Sequence, residues 1–409
     1  MGAGAKSPLA WEPGLFQVHF IHTGVAESMF AVFPDGTSML VDCGDQAAVT
    51  RGVHAVPVLP GPQRLAGEWI ARYVLRVNPR GADVDWAVIT HFHSDHAGTP
   101  HWQKCPSVPP AFPGAPAEPE RLSASCARSG IGLAAEFLRF AKAVDRGYPS
   151  YDDPIPILTG ESGLVAGHVR SVWEALRRRD GLAPEPFRLG AEDQFVASRA
   201  PVPGFSVRNV CANGRIAMPD GTVRDLYADS IARGVFAGRS LNENAMSLGM
   251  VFAYGRFKFA ACGDFSDTFV DADSRRVFVE DALAEAIGRV DVAKMNHHGH
   301  HSCGRALAAA LRPRAWIAPV WDNLHCTDDT MEDILADGAP DSAQPLLLPT
   351  VLPVRYDGER PWWKFVPPQC RDGCHVVLSV FPGGERYALE LVDARDEESR
   401  LVARFDFAT

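Results

Sequence analysis

The chain contains no run of eighteen consecutive apolar residues, so no segment reads as a membrane-spanning helix. Its opening, Met1 to Lys6, lacks a hydrophobic signal core, and a cytoplasmic location is expected. A basic surplus is also missing. Lys and Arg total 40 against 50 Asp and Glu, giving a net charge of −10 and a pI near 5.8. That field repels polyanions and argues against a nucleic-acid partner, although metal ions in a cleft reverse the sign locally. Nine cysteines in 409 residues are an odd number and form no disulfide framework. Cys370 and Cys374 flank Arg371-Asp372-Gly373 and could pair or bind metal, but no second Cys pair accompanies them to complete a zinc knuckle. Internal repeats and low-complexity tracts are absent too.

What is present is a globular composition, 46% hydrophobic and 22% charged, able to bury a large core. The chemistry concentrates in one stretch. The apolar run Trp86-Ala87-Val88-Ile89 stops at Thr90-His91-Phe92-His93-Ser94-Asp95-His96-Ala97-Gly98. Three imidazoles and a carboxylate on one short loop suit a borderline-soft divalent metal. His91 and His93 are two apart, so an extended backbone projects both rings to one side. Asp95 and His96 follow after a turn and can aim at a second ion, so the loop predicts two metals.

Other strand ends repeat the theme. Phe257 to Cys262 leads to Gly263-Asp264, a carboxylate placed to bridge both ions. Val290 to Met295 leads to Asn296-His297-His298-Gly299-His300-His301. One of His297 and His298 is expected to bind metal while the other donates to substrate or shuttles a proton; His300 and His301 read as accessory. Ala315 to Val320 ends near His325, a candidate general acid or oxyanion donor. Asp42, ending Ser38 to Val41, is expected behind the ligands, accepting from a ligand histidine. His19, His22 and His168 read as structural.

Elsewhere the pattern predicts a hairpin from Phe16 to Val41 and amphipathic helices over Arg64–Val77, Ile131–Val144 and Leu164–Arg179. Prolines between Pro106 and Pro119 forbid regular structure there. Tyr148 and Tyr151, in a Pro-stiffened loop, are candidate pocket residues, and His101 and Trp102 candidate rim residues. The expected organisation is a catalytic domain over 1–340 with an insertion over about 100–189 that shapes substrate choice. A β-rich appendage over 341–409 carries no visible chemistry.

The His-x-His-x-Asp-His arrangement, with Asp42-x-Gly44 before it and Gly263-Asp264 and His297-His298-Gly299 after it, resembles the signature of the metallo-β-lactamase superfamily. The resemblance implies an αβ/βα sandwich of two mixed sheets with outer helices and the metals at one edge. Thr23-Gly24-x-Ala26-Glu27-Ser28 and Asn242-Glu243-Asn244-Ala245-Met246-Ser247 resemble the branch of competence-channel domains and bacterial phosphorylcholine esterases. Many superfamily members place a metal-binding histidine in the second stretch. This chain has none there, so the His91/His93 ion is weaker, more open to water, or bound by Asn244.

The predicted activity is a binuclear, metal-dependent hydrolase of a small or medium organic substrate: an ester, lactone, amide or phosphodiester. Its nucleophile is a metal-bridging hydroxide that Asp95 orients. Zinc fits the nitrogen and oxygen donors, and manganese or iron would also fit. The alternatives are a nuclease of the competence-channel type, disfavoured by the acidic charge, and an iron-dependent redox enzyme on the same scaffold.

Overall fold

The computed structural model describes residues 9–46, 56–99, 129–157, 160–336, 344–352 and 360–409. Along the chain it begins with β1 (Phe16–Phe20), β2 (Met29–Val32), β3 (Ser38–Val41), α1 (Ala66–Val77), β4 (Asp83–Val88), α2 (Ser94–Ala97), α3 (Gly130–Ala134) and β5 (Arg139–Asp145). It continues with α4 (Glu161–Asp180), β6 (Ala183–Pro186), β7 (Phe205–Ala212), β8 (Arg215–Ala217), β9 (Val223–Asp225), α5 (Ala228–Ala232), β10 (Gly249–Tyr254) and β11 (Phe257–Ala261). Then come β12 (Thr268–Val270), β13 (Arg276–Phe278), α6 (Asp281–Ile287), β14 (Val292–Lys294), α7 (Arg305–Leu311), β15 (Ala315–Ala318) and α8 (Asp328–Ala336). The last elements are β16 (Leu346–Pro349), β17 (Cys374–Val380), β18 (Arg386–Asp393) and β19 (Leu401–Ala408).

Among the described residues the strands form two large mixed sheets. One runs β19-β18-β17-β1-β2-β3-β4-β5-β6 and the other β16-β15-β14-β11-β10-β7-β8-β9, with β12 and β13 pairing apart. Period-two alternation in β1 sends Phe16, Val18 and Phe20 toward the second sheet. There Phe16 stacks on Phe252 at 5.7 Å and Phe20 meets Phe259 edge-on at 6.0 Å. The opposite face of the first sheet is covered by α1 and α4, whose Tyr73, Val74, Val169 and Trp173 are buried with Ala87 and Phe140. α6 and α7 bury Leu283, Leu307 and Leu311 in the core shared with the second sheet. This is a mixed α/β arrangement of two sheets flanked by helices, consistent with the metallo-β-lactamase sandwich.

The topology decides where chemistry can sit. β3, β4, β5 and β6 are mutually parallel, and so are β11, β14, β15 and β16. Parallel strands bring their carboxyl ends to one rim, where α/β sheets build sites. Asp42 follows β3, the histidine loop follows β4, Asp264 follows β11, His298 follows β14 and His325 follows β15.

One element differs from expectation. Residues 131–144 were predicted as one helix, but the helix stops at Ala134 and residues 139–145 form β5. The apolar spacing of Ile131, Ala134, Phe137 and Leu138 suits a short helical turn equally well. Beyond it, parallel pairing with β4 buries Phe140, Ala143 and Val144 while Ala141 faces solvent. β19 was not anticipated; it pairs antiparallel with β18. β17, β18 and β19 extend the first sheet, because β17 pairs with β1 from Phe16↔Val380 to Phe20↔Val376. His101, Trp102 and the proline-rich stretch lie outside the described residues.

Candidate metal centre

Three loops interlock at the rim. The Cys43 amide donates to the His96 carbonyl at 2.8 Å, Asp45 to Ser94 at 2.9 Å, and Glu27 to Asp95 at 2.9 Å. Gly44 is required here, since a Cβ would stand 1.7 Å from the Asp95 carbonyl oxygen. Asp42, His297 and His298 hold positive φ values of 58°, 45° and 55°. Non-glycine residues in that region cost about 1–3 kcal/mol each, strain typical of sites whose side chains must be aimed.

The hydrogen bonds fix which ring nitrogens face inward. Asp42 accepts from the Thr90 amide at 2.8 Å and from the Thr90 hydroxyl at 2.7 Å. Because that hydroxyl proton is spent, Thr90 Oγ1 accepts from His91 Nδ1, 3.1 Å away. His96 Nδ1 donates to Asp42 Oδ2 at 2.8 Å, and His298 Nδ1 donates to the Pro319 carbonyl at 3.0 Å. Each ring therefore turns Nε2 inward. These three nitrogens lie 3.9 Å (His91), 3.0 Å (His96) and 3.2 Å (His298) from the same oxygen, Asp264 Oδ2. Asp95 Oδ2 adds to the group at 3.0 Å from His298 Nε2 and 3.5 Å from His96 Nε2. His93, half-buried, brings Nδ1 to 3.1 Å from His91 Nε2.

Charge makes the cluster costly without a cation. Glu27, Asp42, Asp95 and Asp264 are all buried, and one ammonium, Lys294, is buried with them. Burial pushes the Asp264 carboxyl up, but the His298 and His96 rings beside it override that and hold it well below the usual range. His96 is opposed by burial yet raised well above its ordinary value by Asp264, Asp95 and Asp42. The donor set fits divalent ions. Asp264 Oδ1 is buried without a hydrogen-bond partner, and the two carboxylates and two imidazoles of Glu27, His96, Asp264 and His298 lie close together.

Lys294 was not anticipated as a site residue, and Glu27 only as a member of a turn that resembles the family's. Lys294 Nζ reaches Glu27 Oε1 at 3.0 Å, the Gly263 carbonyl at 2.8 Å and Asp264 Oδ1 at 3.8 Å. Glu27 Oε2 lies 3.2 Å from His298 Nδ1, on the far side of the ring from Asp95 and Asp264, so it backs the ring. A lone lysine inside the apolar strand Val292-Ala293-Lys294-Met295 was the available signal.

The remaining candidates divide. His325 is buried and stacks on His298 at 4.6 Å with the rings 10° apart. Trp321, another unanticipated residue, donates through Nε1 toward His298 Nε2 at 3.2 Å. His297 is half-buried with its ring toward His300 at 5.2 Å, so of the adjacent pair His298 is the inward member. His301 is exposed and bonded to Asp329 at 2.8 Å. Asn244 is buried, its Oδ1 without a hydrogen-bond partner.

Tyr151 faces the core rather than a pocket: its hydroxyl donates to Asp145 at 2.8 Å and its ring packs on Phe92 at 4.7 Å. The cause is Asp145, a buried carboxylate at the end of β5 that also gathers the Gly147 and Tyr148 amides and the Trp173 indole. Tyr148 is half-buried and accepts from Arg177 at 3.1 Å. Cys370 and Cys374 are buried free thiols with sulfurs 3.8 Å apart. His19 and His168 are buried in structural bonds to Tyr73 and the Ser129 carbonyl.

The two-sheet arrangement is consistent with the metallo-β-lactamase sandwich, and the buried imidazole–carboxylate cluster could hold metal. Residues 22–100, which carry Asp42 and the whole histidine loop, match the metallo-beta-lactamase superfamily. A search of curated proteins returned no match. The matched family and the cluster together suggest a metal-dependent hydrolase.

Proposed function

We propose that the protein is a binuclear metal-dependent hydrolase of a small or medium organic substrate, an ester, lactone, amide or phosphodiester. The observation that carries this reading is the convergence of the His91, His96 and His298 Nε2 atoms on Asp264 Oδ2, each ring having its Nδ1 engaged outward. His91, His93 and Asp264 would hold one ion; Asp95, His96, Asp264 and His298 would hold the other. Zinc suits these nitrogen and oxygen donors, and manganese or iron also fit. When bound, two divalent ions supply Lewis acidity and a water ionisable near neutral pH, and with one such hydroxide they balance the three carboxylate charges that Lys294 leaves uncompensated.

The protein's own groups then orient and neutralise. Asp95 would orient the attacking water. His325 Nδ1 accepts the Trp321 and Asp322 amides, both at 3.4 Å, so its proton sits on Nε2. Burial, with the neighbouring histidines, holds its pKa well below the ordinary value. The ring is thus a neutral hydrogen-bond donor, which favours stabilising an oxyanion over donating a full proton. Among substrates, the phosphodiester is raised by the resemblance to phosphorylcholine esterases in the Asn-x-x-Ser and His-His-Gly stretches. Phosphate oxygens also suit a site with two cations and a neutral imidazole donor.

Hydrolysis of bis-p-nitrophenyl phosphate and of a lactone panel, measured before and after chelation, tests the reading. Chelator should reduce turnover at least about a hundredfold and added zinc or manganese should restore it. Turnover that survives complete metal removal would defeat the proposal.

A further inference from the structure

The stretch Asn242–Ser247, which lacks the histidine many superfamily members carry, does something else in this chain. Glu243 is buried, and its Oε1 accepts the amide of Phe92, the residue between His91 and His93, at 3.2 Å. Arg146, also buried, grips the same carboxylate through Nε at 2.9 Å and Nη2 at 3.2 Å. The guanidinium lies 5.4 Å over the Phe92 ring. Arg146 is fixed in turn by the Asn213 side chain at 3.0 Å and the Asp153 carbonyl at 2.8 Å. Two residues along, the Ser94 amide donates to Glu161 Oε1 at 3.1 Å.

Carboxylates from two distant segments therefore hold alternate amides of the histidine loop from behind. The chain bends at His91 and Phe92 and brings His91 Nε2 to 3.1 Å from His93 Nδ1, so pinning the Phe92 amide between them fixes the bend that sets the spacing of the two imidazoles. Arg146 neutralises Glu243, which lets a carboxylate stand beside the acidic centre without adding to its uncompensated charge.

We infer that Glu243, locked by Arg146, is a positioning residue that presets the His91–His93 pair for its ion. This rests on the proposal that those two histidines hold an ion. Both would act through the Phe92 amide rather than on the ion itself. Outer groups that orient metal ligands are typically worth about 10–100-fold in affinity. An ordinary buried ion pair would alter stability and leave metal affinity alone.

The experiment is zinc titration of the metal-free full chain against a chromophoric chelator, resolving the two binding steps, with melting followed in parallel. Glu243→Ala should weaken one step by about 10–100-fold, the same step that His91→Ala removes, and leave the other within about threefold. Glu243→Gln, which keeps an oxygen for the Phe92 amide, should recover most of the loss. Should the unpaired Arg146 prevent Glu243→Ala from folding, the pair Glu243→Ala/Arg146→Met removes both charges and should show the same selective weakening. Wild-type zinc affinity in Glu243→Ala or the double variant, or equal weakening of both steps, overturns the inference while His91→Ala still loses one step. If His91→Ala itself binds two ions like the wild type, the underlying site reading fails instead.

Discussion

Asp264→Ala should abolish tight metal binding and lower kcat/KM by about a thousandfold or more, roughly 4 kcal/mol of transition-state stabilisation. The effect is large because Asp264 Oδ2 is the atom on which three imidazole Nε2 atoms converge. Its backbone is anchored independently by the Ser247 hydroxyl at 3.1 Å, so the truncation removes the carboxylate without freeing the loop. The variant should remain folded because the loop keeps that anchor, with a lower melting temperature for the metal-free protein as His96 and His298 lose a carboxylate partner. Asp264→Asn, keeping one oxygen, should retain more metal than Asp264→Ala and less than wild type. Metal analysis, steady-state kinetics and melting on the same preparations decide the matter. Wild-type metal content and turnover in Asp264→Ala would remove Asp264 from the centre.

The second large effect is acid lability with a source outside the metal centre. His19 and His22 are buried, and burial drives their pKa values down to about 3; His375 is driven well below its ordinary value by burial, then by His22 and Arg76. His19 Nε2 and His22 Nε2 have no hydrogen-bond partner, so neither ring has an acceptor ready for a second proton. Their folded-state pKa lies below the unfolded value, so the unfolded chain takes up protons first. Stability is full above pH 6.5 and is lost as pH falls from 6.5 toward 3. Each ring removes about 1.4 kcal/mol per pH unit, and His19 alone about 5 kcal/mol across the window, comparable to a domain's net stability.

His19→Asn should flatten the pH dependence of the urea midpoint of metal-free protein by one ring's share between pH 6 and 4. In the same metal-free protein His96 and His298 are raised by their carboxylates and act with the opposite sign. Comparing wild type with His19→Asn cancels that contribution. Identical slopes would show that His19 takes its second proton without loss.

How much of this was legible in the sequence depended on whether a residue's meaning was local. The candidates His91, His93, Asp95 and His96 could be read because four donors crowd one turn, Asp264 because it ends an apolar strand, and His298 only jointly with His297. Asp42 was expected to accept from a candidate ligand histidine, and it accepts from His96 and Thr90. Lys294, Glu243 and Glu161 were not legible as site residues, and Glu27 only as a member of a turn that resembles the family's. Each is a single charged residue whose role arises from a partner distant in sequence, as when Glu243 meets Phe92 or Lys294 meets Glu27. The Tyr148–Tyr151 loop misled because proline and tyrosine signal an exposed wall, whereas Asp145 draws the Tyr151 hydroxyl inward. The strand at 139–145 was hidden by apolar spacing that helix and strand satisfy equally, and only the pairing with β4 decides it.

The pairing of β1 with β17 has a consequence for biosynthesis. β1 must wait for residues 374–380 to be synthesised before its outer neighbour exists. Until then the outer backbone edge of β1 lacks its partner, an exposure that favours aggregation of a nascent chain. Closure of the first sheet therefore comes late in synthesis, once residues 374–380 have emerged.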